Sequence, residues 1–246
     1  MKINSLKLLQ CVSAVALTAC GGGVRPAAIG ANEAIGEGGA CTPAEAAGDH
    51  DHFVVGWDDG TRAGLESAMG RGIAVVAYTC AGARILSACK VEGAYTYRKL
   101  SPKTETVEMK DQGQVAAQLG GTLQLPSEFK AELSQGRQLN LAYMVVGTWS
   151  TDVVDVSAAQ LTGRCEGATH FVYEVQAGAF ALEAGEQGHA AAGAAMLGVG
   201  DAAASQDNSR HARTTDGDAS QCAAGGSEPI DGCRAPVRAN LLAIKG

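Results

Sequence analysis

The apolar positions of this chain change period several times, and each change predicts an element. His52 to Asp59, HFVVGWDD, holds a short apolar run that reads as the first strand. In GTRAGLESAMGRG, Leu65, Ala68 and Met69 share one helical face, with Gly70 or Gly72 as the stop. IAVVAYT, Ile73 to Thr79, is β-branched and apolar at both parities, the pattern of a central strand. ARILSAC follows Cys80, and in VEGAYTYRKL the residues Tyr95 and Tyr97 point the same way. TETVEM places Val107 and Met109 on one face and acids on the other, and Ser101-Pro102-Lys103 before it predicts a hairpin turn.

Two short helices come next. DQGQVAAQLGG has Asp111 to cap its start and Gly120 to end it. LPSEFKAELSQG has Pro126 in its first turn, Phe129 and Leu133 four apart, and Gly136 as its stop, so it should lie across a sheet. From Arg137, Leu139, Leu141, Tyr143 and Val145 alternate with Gln138 and Asn140, a half-buried strand. DVVDVSAAQLTG suits an edge strand and RANLLAIKG a closing one. Strands outnumber helices and the helices cluster. The pattern predicts an α+β domain: a mostly antiparallel sheet with two or three short helices on one face, braced by disulfides.

CEGATHFVYEVQAGAFALEAG, Cys165 to Gly185, alternates over a length that invites comparison with a membrane hairpin. Its polar residues His170, Glu174 and Gln176 share a parity that Phe180 and Leu182 then take over. A slip near Gly178 restores a single apolar side, so the stretch reads as one long strand, kinked at the glycine and paired near Leu139 to Val146. A barrel hairpin needs a second arm with a polar lumen face and aromatic ends. HAAAGAAMLGVGD has neither. A pore-forming or secretion-associated assembly subunit using this region is the alternative functional class.

The first residues change the compartment. Lys2 and Lys7 precede a short apolar stretch, Leu8 to Leu17, which is too short to span a bilayer. Leu17-Thr18-Ala19-Cys20 looks like a bacterial lipobox, which implies diacylglyceryl attachment at Cys20, cleavage before it and acylation of the new terminus. Gly21 after the cysteine favours the outer membrane, facing either the periplasm or the cell surface. Residues 1–19 are thus expected to be a signal peptide, 20–40 a lipidated Gly/Ala-rich tether, and 41–246 one domain with a polar, small-residue excursion near 185–221. Loss of Lys2 and Lys7 takes the net charge from −7 to −9. Such an acidic body argues against nucleic acid as a partner. The expected partners are the lipid bilayer, through acylated Cys20, and envelope proteins.

Six cysteines remain in the body: Cys41, Cys80, Cys89, Cys165, Cys222 and Cys233. An even set in an exported chain predicts disulfides, and six allow 15 connectivities. Proximity suggests Cys222–Cys233 and Cys80–Cys89, leaving Cys41–Cys165. No C-x-x-C pair supports zinc.

IAVVAYTC, VEGAYTYRKLSPK, GRQLNLAYMVVGTW, LTGRCEGATHFV and VQAGAFAL, with DGDASQC and DGCRAPV behind them, resemble an uncharacterised family of predicted lipoproteins from myxobacteria. The resemblance runs from about Phe53 onward. It implies an exported, cysteine-bearing body and assigns no catalytic or binding residue.

The search for chemistry yields three candidates. DHDH, Asp49 to His52, offers imidazoles and carboxylates to zinc or copper, but a strand aligns only His50 and His52, and a solvated lead-in is the simpler account. Asp216-Gly217-Asp218, with Asp207 upstream, suits calcium but lacks the EF-hand cadence; an acidic turn is simpler. His170 and Glu174 lie too far apart along a strand to act as a base pair, so a polar pair on the solvent face is expected. No G-x-S-x-G, P-loop or H-E-x-x-H is present. The expectation is an outer-membrane lipoprotein that is a non-enzymatic binding or structural component of the envelope, without catalytic residues, cofactor or metal. A secreted hydrolase ranks last.

Overall fold

The computed structural model describes residues 45–121, 125–185, 197–198, 212–224 and 231–246. The expected signal peptide, Cys20, the tether, Cys41, most of the Ala/Gly run and most of the 185–221 excursion lie outside these residues. Within them the chain is α+β: nine strands in one sheet and four short helices. The strands are β1 (His50–Phe53), β2 (Ile73–Thr79), β3 (Gly82–Val91), β4 (Thr96–Met109), β5 (Gln138–Ser150), β6 (Thr162–Gly163), β7 (His170–Gly185), β8 (Arg213–Asp216) and β9 (Ala235–Ala243). The helices are α1 (Asp59–Met69), α2 (Gln112–Leu119), α3 (Ser127–Ser134) and α4 (Ala219–Ala224).

The long strand β7 is the spine. Along one edge it pairs first with β2 and then with β5; along the other it pairs with β9 and then β8. Every one of these pairings is antiparallel. β1 hangs on β9, β3 and β6 follow outward from β2, and β4 borders β5. The kink expected at Gly178 takes a different form. β7 runs through the glycine unbroken, and its two neighbours carry the extra residue, β5 between Val145 and Gly147 and β9 beside Ala177. Gly178 permits this because its α-carbon lies against the Met144 carbonyl, where no Cβ fits.

The pairing with β5 covers Gln138 to Ser150, wider than the expected Leu139 to Val146. Alternation on β5 sorts its side chains as predicted. Leu139, Leu141, Tyr143 and Val145 pack with Val115 and Leu119 of α2 and Phe129 and Leu133 of α3. The opposite parity is also buried: Met144 and Val146 meet Ala219, Cys222 and Cys233 around α4. Gln138 and Asn140 are buried as well, and Gln138 Nε2 donates to Asn140 Oδ1 at 2.9 Å. The short helix α4 therefore covers the face that alternation left polar.

Local signals set the helix ends. Asp58 caps α1, accepting from the Thr61 N–H at 3.0 Å, and Gly70 ends it. Asp111 caps α2 by accepting from the Gln114 N–H at 2.8 Å, and Gly120 ends it in the left-handed region at φ 68°.

Four expectations need correction. The first strand is His50–Phe53, and Val54 and Val55 beyond it are buried in a turn. Ser101-Pro102-Lys103 is no hairpin turn. β4 runs continuously through it along β5, with a bulge between Lys99 and Lys103. Proline is tolerated there because the outer side of an edge strand asks for no ladder N–H. Glu105 has the parity of Val107 and Met109, and it accepts a hydrogen bond from the Tyr143 hydroxyl at 2.6 Å instead of facing away.

The fourth correction concerns the disulfides. Cys222–Cys233 forms as predicted, with a Cα separation of 5.2 Å. Cys89 bonds Cys165, not Cys80, and this removes Cys41–Cys165 as well. Cys80 sits in the β2–β3 turn, whereas Cys89 lies seven residues down β3 from Gly82, roughly 20 Å away at about 3.3 Å per residue. β6 pairs with β3 at Cys89 and carries Cys165 to a Cα distance of 4.9 Å. Cys80 is disulfide-bonded too, to a partner outside the described residues.

Candidate functional site

The densest gathering of titratable side chains forms where β1, β2 and β7 converge. Parity on β1 turns His50 and His52 to one side, and their rings stack with centroids 5.2 Å apart. Tyr78, near the end of β2, sits 4.0 Å from the His50 ring and 5.6 Å from that of His52. His170, the first residue of β7, adds a third imidazole 5.2 Å from His50 and 5.4 Å from Tyr78. Gly120 closes the wall, since a Cβ there would enter the His52 ring.

Hydrogen bonds fix these rings. His170 Nε2 lies 2.8 Å from the Gly48 carbonyl oxygen, which can only accept, so Nε2 carries the proton. In the neutral ring Nδ1 then accepts from the Thr169 hydroxyl at 2.8 Å. Thr169 Oγ1 in turn accepts from the Tyr78 N–H at 2.8 Å. Tyr78 Oη and His52 Nε2 are 2.9 Å apart. His52 Nδ1 is buried without a well-formed hydrogen bond. His50 Nε2 makes one long contact, 3.4 Å, to the Ala46 carbonyl. Asp49 is committed to structure: its Oδ1 accepts from the Ala243 N–H at 2.9 Å.

All three imidazoles are held below the ordinary histidine pKa, chiefly by burial. His52 falls to about 4, with the neighbouring His50 charge as the second cause. For His50, the Ala46 carbonyl and Asp49 partly offset burial. For His170, the Gly48 carbonyl and Asp49 act the same way, against His50. Burial also raises the Tyr78 phenol. At neutral pH the cluster is an uncharged, hydrogen-bonded knot.

The structure thus joins two residues the sequence paired, His50 and His52, with two it kept apart, Tyr78 and His170. Asp49-His50-Asp51-His52 is not a lead-in, because His50 to His52 belong to β1 itself; Asp49 and Asp51 are exposed as expected, and the two histidines are half-buried. Both ring nitrogens of His170 are already occupied, and among the described residues no set of three or more His, Cys, Asp and Glu side chains is arranged to hold a metal ion. His170 is 0% exposed, so it does not form a polar pair on the solvent face. A register shift between Val172 and Glu174 takes Glu174 off the His170 row and sets it near Asp51, where burial and that like charge raise its carboxyl.

The Asp216-Gly217-Asp218 turn serves local structure. Asp218 accepts from the N–H groups of Ser220 at 2.9 Å and Gln221 at 3.3 Å at the start of α4, and bonds to Ser220 and Gln221 hold its carboxyl at about 2. Asp216 lies 3.4 Å from the buried Arg62 guanidinium. A separate groove of about 480 Å³ lies between the end of α1 and β3–β6, with Arg71 and Lys90 at its rim and the Cys89 staple in its wall.

No family model matches the chain, and neither a curated protein nor a solved structure is similar to it.

Proposed function

We propose that this chain is an outer-membrane lipoprotein, anchored by acyl chains on Cys20, that serves as a non-enzymatic binding or structural component of the cell envelope. Its disulfides carry this reading. Bonded cysteines at 80, 89, 165, 222 and 233 suit an oxidising compartment, where such bridges persist. The polar cluster at β1 supports a structural role as well. His170, Thr169, Tyr78 and Asp49 bind backbone or each other, and His52 is tied to Tyr78, so the groups brace three strands. The resemblance to predicted lipoproteins and the Leu17-Thr18-Ala19-Cys20 motif agree with this reading.

The test is mass spectrometry of the mature amino terminus together with membrane fractionation. The expected terminus is acylated Cys20, with the protein in the outer-membrane fraction and Cys20→Ala unprocessed or released from that fraction. An unmodified mature terminus elsewhere would remove the anchor. Affinity capture with the lipidated protein then identifies what it binds.

A further inference from the structure

Three imidazoles packed ring to ring are stable together only while they are uncharged. We infer that β1 is an acid-released strand: when His50, His52 and His170 take up protons, β1 and its Gly48–Asp49 lead-in leave β9 and Tyr78 while the rest of the sheet stays paired.

The geometry sets a short strand against a cluster with a large response. β1 has four residues and, among the described residues, one neighbouring strand, β9. Its further ties are the Gly48 carbonyl to His170, His52 to Tyr78 at 2.9 Å, Asp49 to the Ala243 N–H, Asp51 to Arg238 at 2.7 Å, and the buried Phe53 ring against Tyr143 at the far end. Protonation places positive charges on rings whose centroids are 5.2 Å apart, one of them wholly enclosed. Facing them are Tyr78 from β2 and the Asp49 carboxylate from the lead-in, while Arg238 of β9, ion-paired with Asp51 across the strand, adds a smaller charge effect on His52. α2 contributes only the Ala117 carbonyl. Asp51 and Glu174 gather on the other side of the strand. One carboxylate thus meets three imidazolium ions. Like charges in a partly desolvated space repel, and moving β1 into water relieves them most directly. The remaining strands have a separate anchor, since β7 is paired with β5 along twelve positions and β3 is stapled through Cys89–Cys165. The lowered pKa values agree with this picture: the strand is closed at neutral pH and opens in the acidic range.

Hydrogen–deuterium exchange read by mass spectrometry on the full chain tests this at about pH 7 and about pH 3.5, after correction for the intrinsic exchange rate. The expected result is that β1 amides open on the order of tenfold more at the lower pH, while β5 and β7 keep their protection. The double variant His50→Gln/His52→Gln, with two of the three charges removed, should stay closed at both pH values. Equal protection of β1 at both pH values overturns the proposal, as does opening that persists unchanged in the double variant. Simultaneous loss across β5 and β7 also overturns it, because that is global acid unfolding. If the double variant does not fold, an NMR titration of the imidazoles in the unaltered chain decides. Opening that follows their protonation supports the release, and opening at a pH where none of the three titrates overturns it.

Discussion

Gly178 presses its α-carbon against the carbonyl of Met144, and the two strands that flank β7 each take up an extra residue beside it. A side chain at this position must push β5 away from the spine. Gly178→Ala is expected to lower stability by about 3 kcal/mol in urea denaturation, in line with overpacking against backbone. Gly64, in the interior of α1 with nothing near its would-be Cβ, gives the opposite sign: Gly64→Ala should add about 0.5–1 kcal/mol. A neutral result at Gly178 would show that the spine tolerates widening there.

Non-reducing peptide mapping should return Cys89–Cys165 and Cys222–Cys233. Cys80 is also bonded, and Cys41 is the one body cysteine left to pair with it, so a Cys41–Cys80 peptide is the third expected product. Serine at both 89 and 165 removes a closure spanning 76 positions and should cost about 4 kcal/mol.

Arg62 is 4% exposed. It donates to the carbonyls of Val55 and Trp57, pairs with Asp59, lies 3.4 Å from Asp216 and sits 5.3 Å above the Phe180 ring. It ties α1 and the preceding turn to β8 and the spine. Arg62→Ala leaves two carbonyls and Asp216 without their cation and should cost about 3 kcal/mol. Arg62→Lys should recover only part, because an ammonium cannot span the same fork of acceptors. Thermal or urea unfolding measures both.

Stability against pH has a sign set by the histidines. Their folded-state pKa values lie below the ordinary 6.5, so the neutral rings stabilise the fold fully above that value. That contribution is lost as pH falls from about 6.5 through about 4, the value to which His52 is lowered. For His52 the loss should amount to about 2 kcal/mol, allowing for the part of the ring that water still reaches. Denaturation midpoints across this range should fall in the unaltered chain and fall less in His52→Gln. A flat profile would mean that the rings titrate normally.

Elements governed by neighbouring residues were legible in the sequence. β2 matched its β-branched run, α2 its Asp111 and Gly120 caps, and β5 its row from Leu139 to Val145, although the row expected to stay half-open, with Gln138 and Asn140, is buried as well. What failed depended on distant pairing. Cys80 and Cys89 are near in sequence, yet a straight strand holds them apart, and Cys165 comes to Cys89 only through β6. Pro102 reads as a turn until β4 is known to be an edge. The side that His50 and His52 share followed from parity. Nothing local announced that β7 would begin with His170 beside them, because that contact links residues 122 positions apart.

The pairing of β1 with β9 also orders events in time. A chain made from its amino terminus presents β1 early, before the strand it pairs with exists. Among the described residues its partner strand is β9, and the Asp51–Arg238 tie between them bridges 187 positions. Until β9 has been made, His50 and His52 have no neighbouring strand to hold them against Tyr78. The hydrogen-bonded knot at Tyr78 is therefore among the last features to form, and its presence reports that the sheet is in place from β1 to β9.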